Sequence, residues 1–227
     1  MSYDRSGGGM GRIITVASSK GGCSKSSIVM ILSGNLAEAG YNVAVIDADP
    51  NACYSQWHKL YEGPPIDCSC EIRQEEIVDL AQAKAEVFDV VLIDTAGFGN
   101  TTAAFAAGTA DLVLIPVMPD RASASEAMRT ARQVQAFGKA GNRKIQLRVV
   151  RSRWNPRGLV ERAVLGDLAA VKLPIIEQHF SDLSEFGKLS LSGRVPVTGK
   201  VGNQAAHMIK ELVALRSVPA KPERNAA

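Results

Sequence analysis

The sequence of 227 residues lacks several features that define whole classes of protein. No apolar run approaches the roughly 18 residues that a membrane-spanning helix needs, and residues 1–11 lack the apolar centre of a secretory signal peptide. Four cysteines, Cys23, Cys53, Cys68 and Cys70, are too few and too irregularly spaced for a disulfide framework or a four-cysteine zinc site. We therefore expect a cytoplasmic protein.

A large excess of charge is also missing, because the formal net charge of the chain is only +3. The two halves nevertheless differ: residues 1–120 contain 7 Lys and Arg against 15 Asp and Glu, and residues 121–227 contain 19 against 8. Their net charges are thus −8 and +11. Such a basic half is either a solvated surface or one that binds a polyanion, and composition leaves both interpretations open.

What the chain does contain is a regular alternation of segments. Short apolar segments predict buried strands at residues 13–17, 43–46, 87–93, 112–117, 145–150 and 173–176. Helical patterns occupy 28–39, 74–84, 101–108, 122–139 and 158–171, and an amphipathic helix closes the chain at 205–215. We predict one α/β domain over residues 12–217, with a mostly parallel twisted sheet and helices on both faces, between flexible tails at 1–11 and 218–227.

A loop with two glycines follows the first predicted strand and precedes a helix. In such a loop several backbone N–H groups and the positive end of the helix dipole point at one place, which suits phosphate oxygens. Gly21 and Gly22 allow close approach of the backbone, Lys25 would reach the β- and γ-phosphates, and the Ser26 hydroxyl would coordinate Mg²⁺. The usual G-x-x-x-x-G-K-[ST] motif is not met, because serines stand at both of its glycine positions.

Three segments fit a related pattern: Lys20-Gly-Gly-Cys-Ser-Lys-Ser26, Val45-Ile-Asp-Ala-Asp-Pro-Asn51 and Val91-Leu-Ile-Asp-Thr-Ala-Gly97. Through them the sequence resembles the deviant Walker A ATPases of the ParA/MinD group, most closely the small ParA-type (ParF-like) plasmid partition ATPases. The segments cover the first half of the chain in detail, and the alternation of strands and helices extends the resemblance to nearly the whole chain. The resemblance implies a single-domain P-loop NTPase.

It also implies roles for individual residues. Lys20 looks like the signature lysine, which in this family crosses an ATP-sandwiched dimer interface to the partner's phosphates. Asp49 stands where the family places the carboxylate that orients the attacking water. The implied catalytic residues are Lys20, Lys25 and Asp49; the nucleotide-binding residues are Lys20, Gly21, Gly22, Cys23, Ser24, Lys25, Ser26 and Ser27; and the magnesium site is formed by Ser26, Asp47 and Asp94.

Two residues depart from the family pattern. Ser24 stands where most relatives have glycine, and a positive φ at this position would cost a serine about 1 kcal/mol. Asn51 replaces the more frequent glutamine, which is a milder change. A nucleotide-dependent scaffold that hydrolyses ATP only weakly therefore remains an alternative to a full ATPase.

The basic half contains a dense cluster of cationic residues around Trp154. The candidates for DNA contact are Arg143, Lys144, Arg151, Arg153 and Arg157. The family resemblance implies that the ATP-bound homodimer binds nucleoid DNA without sequence preference, by phosphate contacts and counterion release. Because alternate strand residues point to opposite faces, Arg148 and some of its neighbours could instead form internal salt bridges.

The sequence therefore predicts an ATPase, with ATP and Mg²⁺, that segregates a plasmid or other cargo with a ParB/ParG-like partner. A MinD-like membrane-surface ATPase is the alternative from another class, and residues 219–227 lack the amphipathic membrane helix that it needs. We accordingly expect no membrane binding. Metal-cluster or small-molecule chemistry on the same fold would require additional cysteines or a substrate pocket that the sequence does not indicate.

Overall fold

The computed structural model describes residues 10–97, 101–181 and 184–221. In this part of the chain, strands and helices alternate in the order β1 (Arg12–Ser18), α1 (Lys25–Glu38), β2 (Val43–Ala48), α2 (Cys53–His58), β3 (Ile66–Cys70), α3 (Gln74–Val87), β4 (Val90–Gly97), α4 (Thr101–Thr109), β5 (Leu112–Val117), α5 (Arg121–Ala140), β6 (Gln146–Arg151), α6 (Leu159–Ala170), α7 (Ser184–Ser192) and α8 (Gly199–Ala214). The alternation that the sequence predicts is confirmed.

The six strands form one parallel sheet in the order β3-β2-β4-β1-β5-β6. Every residue of β2 and β5 is buried, as are six of the seven residues of β1. Such continuous apolar strands occur where both faces of a sheet are covered. The single-domain α/β fold predicted from the sequence is confirmed.

Helices cover the two faces of the sheet as separate layers. One hydrophobic cluster joins the sheet to α1, α2, α7 and α8, and the other joins it to α3, α4, α5 and α6. Helix α1 is buried on nearly all sides, from Ile28 through Ala37, because it lies between the sheet and α8. Its apolar character all round follows from this central position.

The strand order also separates the charges of the two chain halves. Strands β2 and β3, with the neighbouring helix α3, lie on one side of β1, whereas β5, β6, α5 and α6 lie on the other. Helix α3 exposes four carboxylates, those of Glu75, Glu76, Asp79 and Glu86. The exposed carboxylates of α3 and the cations of α5 therefore lie on opposite sides of β1.

Several local features differ from the segments predicted above, which include neither α2 nor β3. The strand predicted at 87–93 begins only at Val90, because α3 continues through Val87. The strand predicted at 173–176 is wrong: the described chain there forms a single bridge between Val149 and Ile175. Helix α7 was not predicted, and its short serine-rich sequence has little helical signal.

The ends of the described chain pack against the domain. Gly11 is buried and its N–H donates to the Ala85 carbonyl at 2.7 Å. Val218 is 1% exposed, and the Tyr41 hydroxyl donates to the Pro219 carbonyl at 3.1 Å. The C-terminal tail predicted from residue 218 is thus packed at its start, while residues 1–9 and 222–227 lie outside the described part. Within the described residues, no helix is both long enough and apolar enough to cross a bilayer.

Candidate nucleotide-binding site

The glycine-containing loop lies at the carboxyl end of β1, the strand near the centre of the sheet. On one side β1 pairs with β4, and on the other it pairs with β5. Open parallel sheets bind ligands outside the carboxyl ends of their strands, where the chain leaves in opposite directions. The loop between Ser18 and Lys25 occupies this position and leads directly into α1.

Two residues of the loop have left-handed backbone conformations. Gly22 has φ +71° and Ser24 has φ +73°. Glycine adopts this region freely, but for serine it costs about 1–2 kcal/mol. Ser24 also precedes the first residue of α1 without capping it through its side chain. The first N–H groups of a 14-residue helix therefore lack a side-chain cap at this end of the loop.

The P-loop lysine is folded back over the loop. Lys25 is 8% exposed and its Nζ lies 3.5 Å from the Lys20 carbonyl oxygen. Among the described residues no carboxylate lies within ion-pair distance of it. Cys23 is buried, and its thiol donates to the same carbonyl at 3.2 Å. The Cys23 side chain thus points into the protein, and a contact with phosphate would have to come from its backbone.

The second lysine has a different environment. Lys20 Nζ donates to both carboxylate oxygens of Asp120, at 2.8 and 2.9 Å, and to the Ser123 hydroxyl at 3.0 Å. Burial alone would raise the pKa of Asp120, but hydrogen bonds from Lys20 and Ser123 outweigh this effect and lower it. The two loop lysines are therefore unequal: one is free of ion pairs with described residues and one is held by a carboxylate of the same chain.

Asp94 is a buried carboxylate at the carboxyl end of β4. It is 0% exposed, and neither oxygen has a hydrogen-bond partner among the described residues. Burial raises its pKa to about 7, with Asp47 and Asp49 adding to the rise and the nearby Ser26 and Lys25 opposing it. Buried polar groups are normally satisfied, so this unpartnered carboxylate beside a hydroxyl fits the ligand set that Mg²⁺ prefers.

Asp47 and Asp49 stabilise the chain that follows β2. Asp47 stands opposite Asp94 in the sheet and accepts hydrogen bonds from the N–H groups of Asp49, at 3.2 Å, and Ser55, at 2.8 Å. Asp49 accepts from both the backbone and the side-chain amide of Asn51, each at 2.9 Å. Backbone donors thus already use both oxygens of Asp47, which makes Asp94 the better candidate for a metal ligand.

The structure brings the predicted nucleotide and magnesium residues to one edge of the sheet. The Lys25 ammonium and the N-terminus of α1 lie near carboxylates from the ends of β2 and β4, and the Lys20 ammonium is held by Asp120 at the end of β5. The electrostatic influence of Asp49, Asp94 and Asp47, after that of burial, raises the pKa of Cys53 and shows that these carboxylates share one region. The arrangement can bind a phosphate chain and, through Asp94 and Ser26, a magnesium ion with it.

The predicted DNA-binding residues do not form one surface. Arg143 and Lys144 precede β6, whereas Arg153 and Arg157 follow it. The two pairs therefore lie at opposite ends of this strand, the second pair at the carboxyl ends of the strands. Both pairs are exposed, although the Arg143 guanidinium also donates to the Gly108 and Thr109 carbonyls at 3.0 and 3.1 Å.

Arg151 is the one predicted DNA contact whose side chain is turned inward. Its guanidinium donates to the carbonyls of Ile176 and Glu177 and lies 5.9 Å from the centre of the buried Trp154 ring. These contacts hold the segment after α6 against β6. The interpretation of Arg151 as a DNA contact does not agree with this packing.

Sequence reasoning missed three polar residues that contact the loop, namely Asp120, which precedes α5, and Ser123 and Thr130 within it. Asp120 caps this helix by accepting from the Ser123 N–H at 2.8 Å, and Thr130 Oγ lies 3.0 Å from the Ser19 hydroxyl. The signal was present, because Asp120 precedes a long helical segment and follows the strand β5, which neighbours β1. Its contact with Lys20 spans 100 positions of the sequence and has no local signature.

Together, the parallel sheet, the two-lysine loop and the acidic strand ends define a P-loop NTPase of the ParA/MinD type. Comparison with known proteins identifies the family. The model of the family described as VirC1 protein matches residues 11–216. This chain belongs to the VirC1 protein family.

Individual relatives agree with this assignment. The protein ParA of Rhizobium radiobacter is 29% identical over 203 residues, which cover 86% of this chain and 90% of the relative. The protein VirC1 of the same species is 30% identical over 194 residues, covering 80% and 84%. The chain is thus related over most of its length to ParA/VirC1-type partition ATPases.

Solved structures support the same fold. A variant of McdA from Cyanothece in complex with ATP has a TM-score of 0.76 at 17% identity, covering 95% of this chain and 100% of the other. The septum site-determining protein MinD of Pyrococcus horikoshii, complexed with Mg-ADP, has a TM-score of 0.75 at 16% identity, covering 94% and 100%. Both comparisons confirm the P-loop NTPase architecture.

Proposed function

We propose that this protein is a partition or positioning ATPase that dimerises around ATP and Mg²⁺ and binds DNA without sequence preference in that state. Hydrolysis, stimulated by a ParB/ParG-like partner, then releases the DNA. The observation that supports this most directly is the two-lysine loop beside the unpartnered carboxylate of Asp94. The cargo is a plasmid or another large assembly, and the place of action is the nucleoid in the cytoplasm.

The residues of the site have separate roles in the proposed reaction. Lys25 and the N-terminus of α1 bind the phosphates, and Ser26 with Asp94 holds Mg²⁺, which neutralises phosphate charge when bound. Asp49 orients the attacking water. Lys20 leaves Asp120 and adds its charge to the phosphates across the dimer interface, where negative charge develops during transfer.

DNA binding follows from dimerisation. A dimer carries two basic surfaces, and binding through one raises the effective concentration of the other at the same polymer, so the nucleotide state controls the affinity for DNA. The decisive experiment measures binding to duplex DNA as a function of salt concentration with ATP, with ADP and without nucleotide. We expect tight, salt-sensitive binding only with ATP. Equal affinity and equal salt dependence in all three states would reject control of DNA binding by the nucleotide.

A second candidate is a nucleotide-dependent scaffold with little hydrolysis. The left-handed conformation of Ser24 favours it, because a strained loop holds the phosphates less rigidly. ATP turnover measured with DNA and with the partner separates the two candidates. A scaffold would bind DNA in an ATP-dependent way with no stimulated turnover.

A further inference from the structure

The solvent side of α5 is basic along most of its length. Arg121, Arg132 and Lys139 are exposed. At 3.6 residues per turn, their separations of eleven and seven residues place them within about 20° of one line along the helix. Arg129 lies on the same exposed side, with 68% of its side chain accessible. We call these four residues the α5 stripe.

Few negative charges lie beside this stripe. Helix α4 on one side contains no charged residue. On the other side, α6 exposes Arg162 and Asp167, while Glu161 is buried. Within the described residues, the carboxylate within ion-pair distance of the stripe is that of Glu126, 3.9 Å from Arg129. Most of the positive charge of the stripe is therefore unneutralised.

The stripe continues past the end of the helix. Lys139, Arg143 and Lys144 line an open groove of about 590 Å³ between the C-terminus of α5 and the start of β6. A helix C-terminus attracts cations and repels anions, so these three side chains reverse the sign of the local potential. The basic surface therefore reaches the edge of the sheet opposite the nucleotide site.

We propose that the α5 stripe is the surface that holds duplex DNA by its phosphate backbone; this inference rests on the proposed function. From Arg121 to Lys139 the stripe is about 27 Å long, and duplex DNA presents on the order of 16 phosphate charges over that distance. A row of long, flexible cations along one exposed side of a helix suits this repeating charge and reads no base sequence.

The residues that the sequence suggested fit this role less well. Arg153 and Arg157 follow β6 at the nucleotide edge of the sheet, the edge that the proposed dimer interface occupies. Arg151 is engaged with backbone carbonyls. The α5 stripe instead lies on the outer layer of helices, so DNA bound there leaves the nucleotide edge accessible to a second copy of the chain.

The test compares two double variants of the full chain that remove equal charge. Arg132→Ala with Lys139→Ala changes the stripe, and Arg153→Ala with Arg157→Ala is the matched control at the other edge. Binding to a duplex of mixed sequence is measured with ATP between about 50 and 200 mM salt, the range in which phosphate contacts dominate the salt dependence. Thermal unfolding of both variants checks that they fold, and light scattering with ATP checks that both still dimerise, because Arg153 and Arg157 lie at the edge of the proposed dimer interface.

We expect the stripe variant to bind more weakly, with the slope of log affinity against log salt reduced by about 1.8, since each lost phosphate contact contributes about 0.9. The control should keep the slope of the unchanged protein. The reverse pattern, a reduced slope only at Arg153 and Arg157, overturns the proposal but leaves ATP-dependent DNA binding intact. If the unchanged protein binds no DNA with ATP, the proposed function fails as well, and an acidic protein becomes the occupant of the stripe.

Discussion

The ammonium group of Lys20 lies 2.8 Å from a carboxylate oxygen of Asp120 in the same chain. Both side chains are partly exposed, at 28% and 37%, so solvent and salt screen the pair. Lys20 is the residue that must reach the phosphates of a partner in the proposed dimer. The intramolecular pair therefore competes with assembly.

Substituting Asp120 by Asn should favour ATP-dependent dimerisation. Asn keeps the N-cap of α5 but loses the charge that holds Lys20. An ion pair of this exposure contributes at most about 1 kcal/mol, and two such pairs break for each dimer that forms, so the protein concentration for half-maximal dimerisation should fall by up to about 30-fold. Light scattering with ATP measures this. Weaker dimerisation in D120N would mean that Asp120 acts on Lys20 in the assembled state instead.

Replacing each loop lysine separately should distinguish the residue needed to bind ATP from the residue needed to hydrolyse it. Lys20→Ala should keep some ATP binding but lose hydrolysis and cooperative DNA binding, because it removes the charge that acts across the interface. Lys25→Ala should lose ATP binding itself, because this buried ammonium lies within the loop. Nucleotide binding by fluorescence and turnover by phosphate release are the measurements. Unchanged turnover in the Lys20 variant would contradict the mechanism.

Asp49→Ala should accumulate as an ATP-bound dimer, since the water that attacks the phosphate is no longer oriented. Asp49 also accepts two hydrogen bonds from Asn51, so Asp49→Asn is the control that keeps an acceptor for the turn. We expect both variants to dimerise with ATP and to hydrolyse it slowly. Size measurements that find both monomeric with ATP would argue against this role.

Ser24→Gly tests the strain in the loop. Glycine has no penalty at φ +73°, whereas Ser27→Gly, inside α1, gains nothing from the change and loses helix propensity. Both variants add the same freedom to the unfolded chain. The free energy of unfolding should therefore be higher for S24G than for S27G by about 1 kcal/mol or more, as measured by denaturant titration. Equal stabilities would show that the loop is relaxed.

The raised pKa of Asp94 predicts how stability depends on pH without magnesium. The carboxyl of Asp94 has a pKa of about 3.8 in the unfolded chain, whereas burial raises this pKa to about 7 in the folded state. Between these values the folded state holds a proton that the unfolded state has lost, so stability should fall as pH rises through this range. Thermal unfolding in a chelator should show this fall. Asp94→Asn should flatten it and raise stability above pH 7.

Magnesium gives the complementary measurement. Binding needs the ionised carboxylate, so stabilisation by Mg²⁺ should be larger at pH 8 than at pH 6 in the unchanged protein. It should be reduced in Asp94→Asn at both pH values. Stabilisation of D94N by magnesium to the same extent as the unchanged protein would assign the metal to other ligands.

Much of this structure could be predicted from local sequence, because continuous apolar strands and a glycine loop leave strong local signals. The positive φ at Ser24 is one case: the motif placed a glycine there, and the structure confirms the conformation that a glycine would favour. Contacts between distant segments could not be predicted. The pair of Lys20 with Asp120, and the inward side chain of Arg151, depend on which strands become neighbours in the sheet.

The α5 stripe could not be predicted from dense clusters of cationic residues in the sequence either. Its successive cations are eight, three and seven residues apart, so they come together on one side only when the helix forms. Arg143 and Arg157, which the sequence placed in one cluster, lie at opposite edges instead, because β6 runs between them.

The strand order places negative and positive side chains on opposite sides of β1, and this separation affects how the molecule rotates as it approaches a charged partner. With carboxylates on α3 and cations on α5, the domain has a permanent electric dipole across the sheet. A polyanion at a distance exerts a torque on such a body and turns its basic side forward before any contact is made. The strand order thus orients the approaching molecule. This orientation should raise the fraction of encounters with a negatively charged polymer that lead to binding.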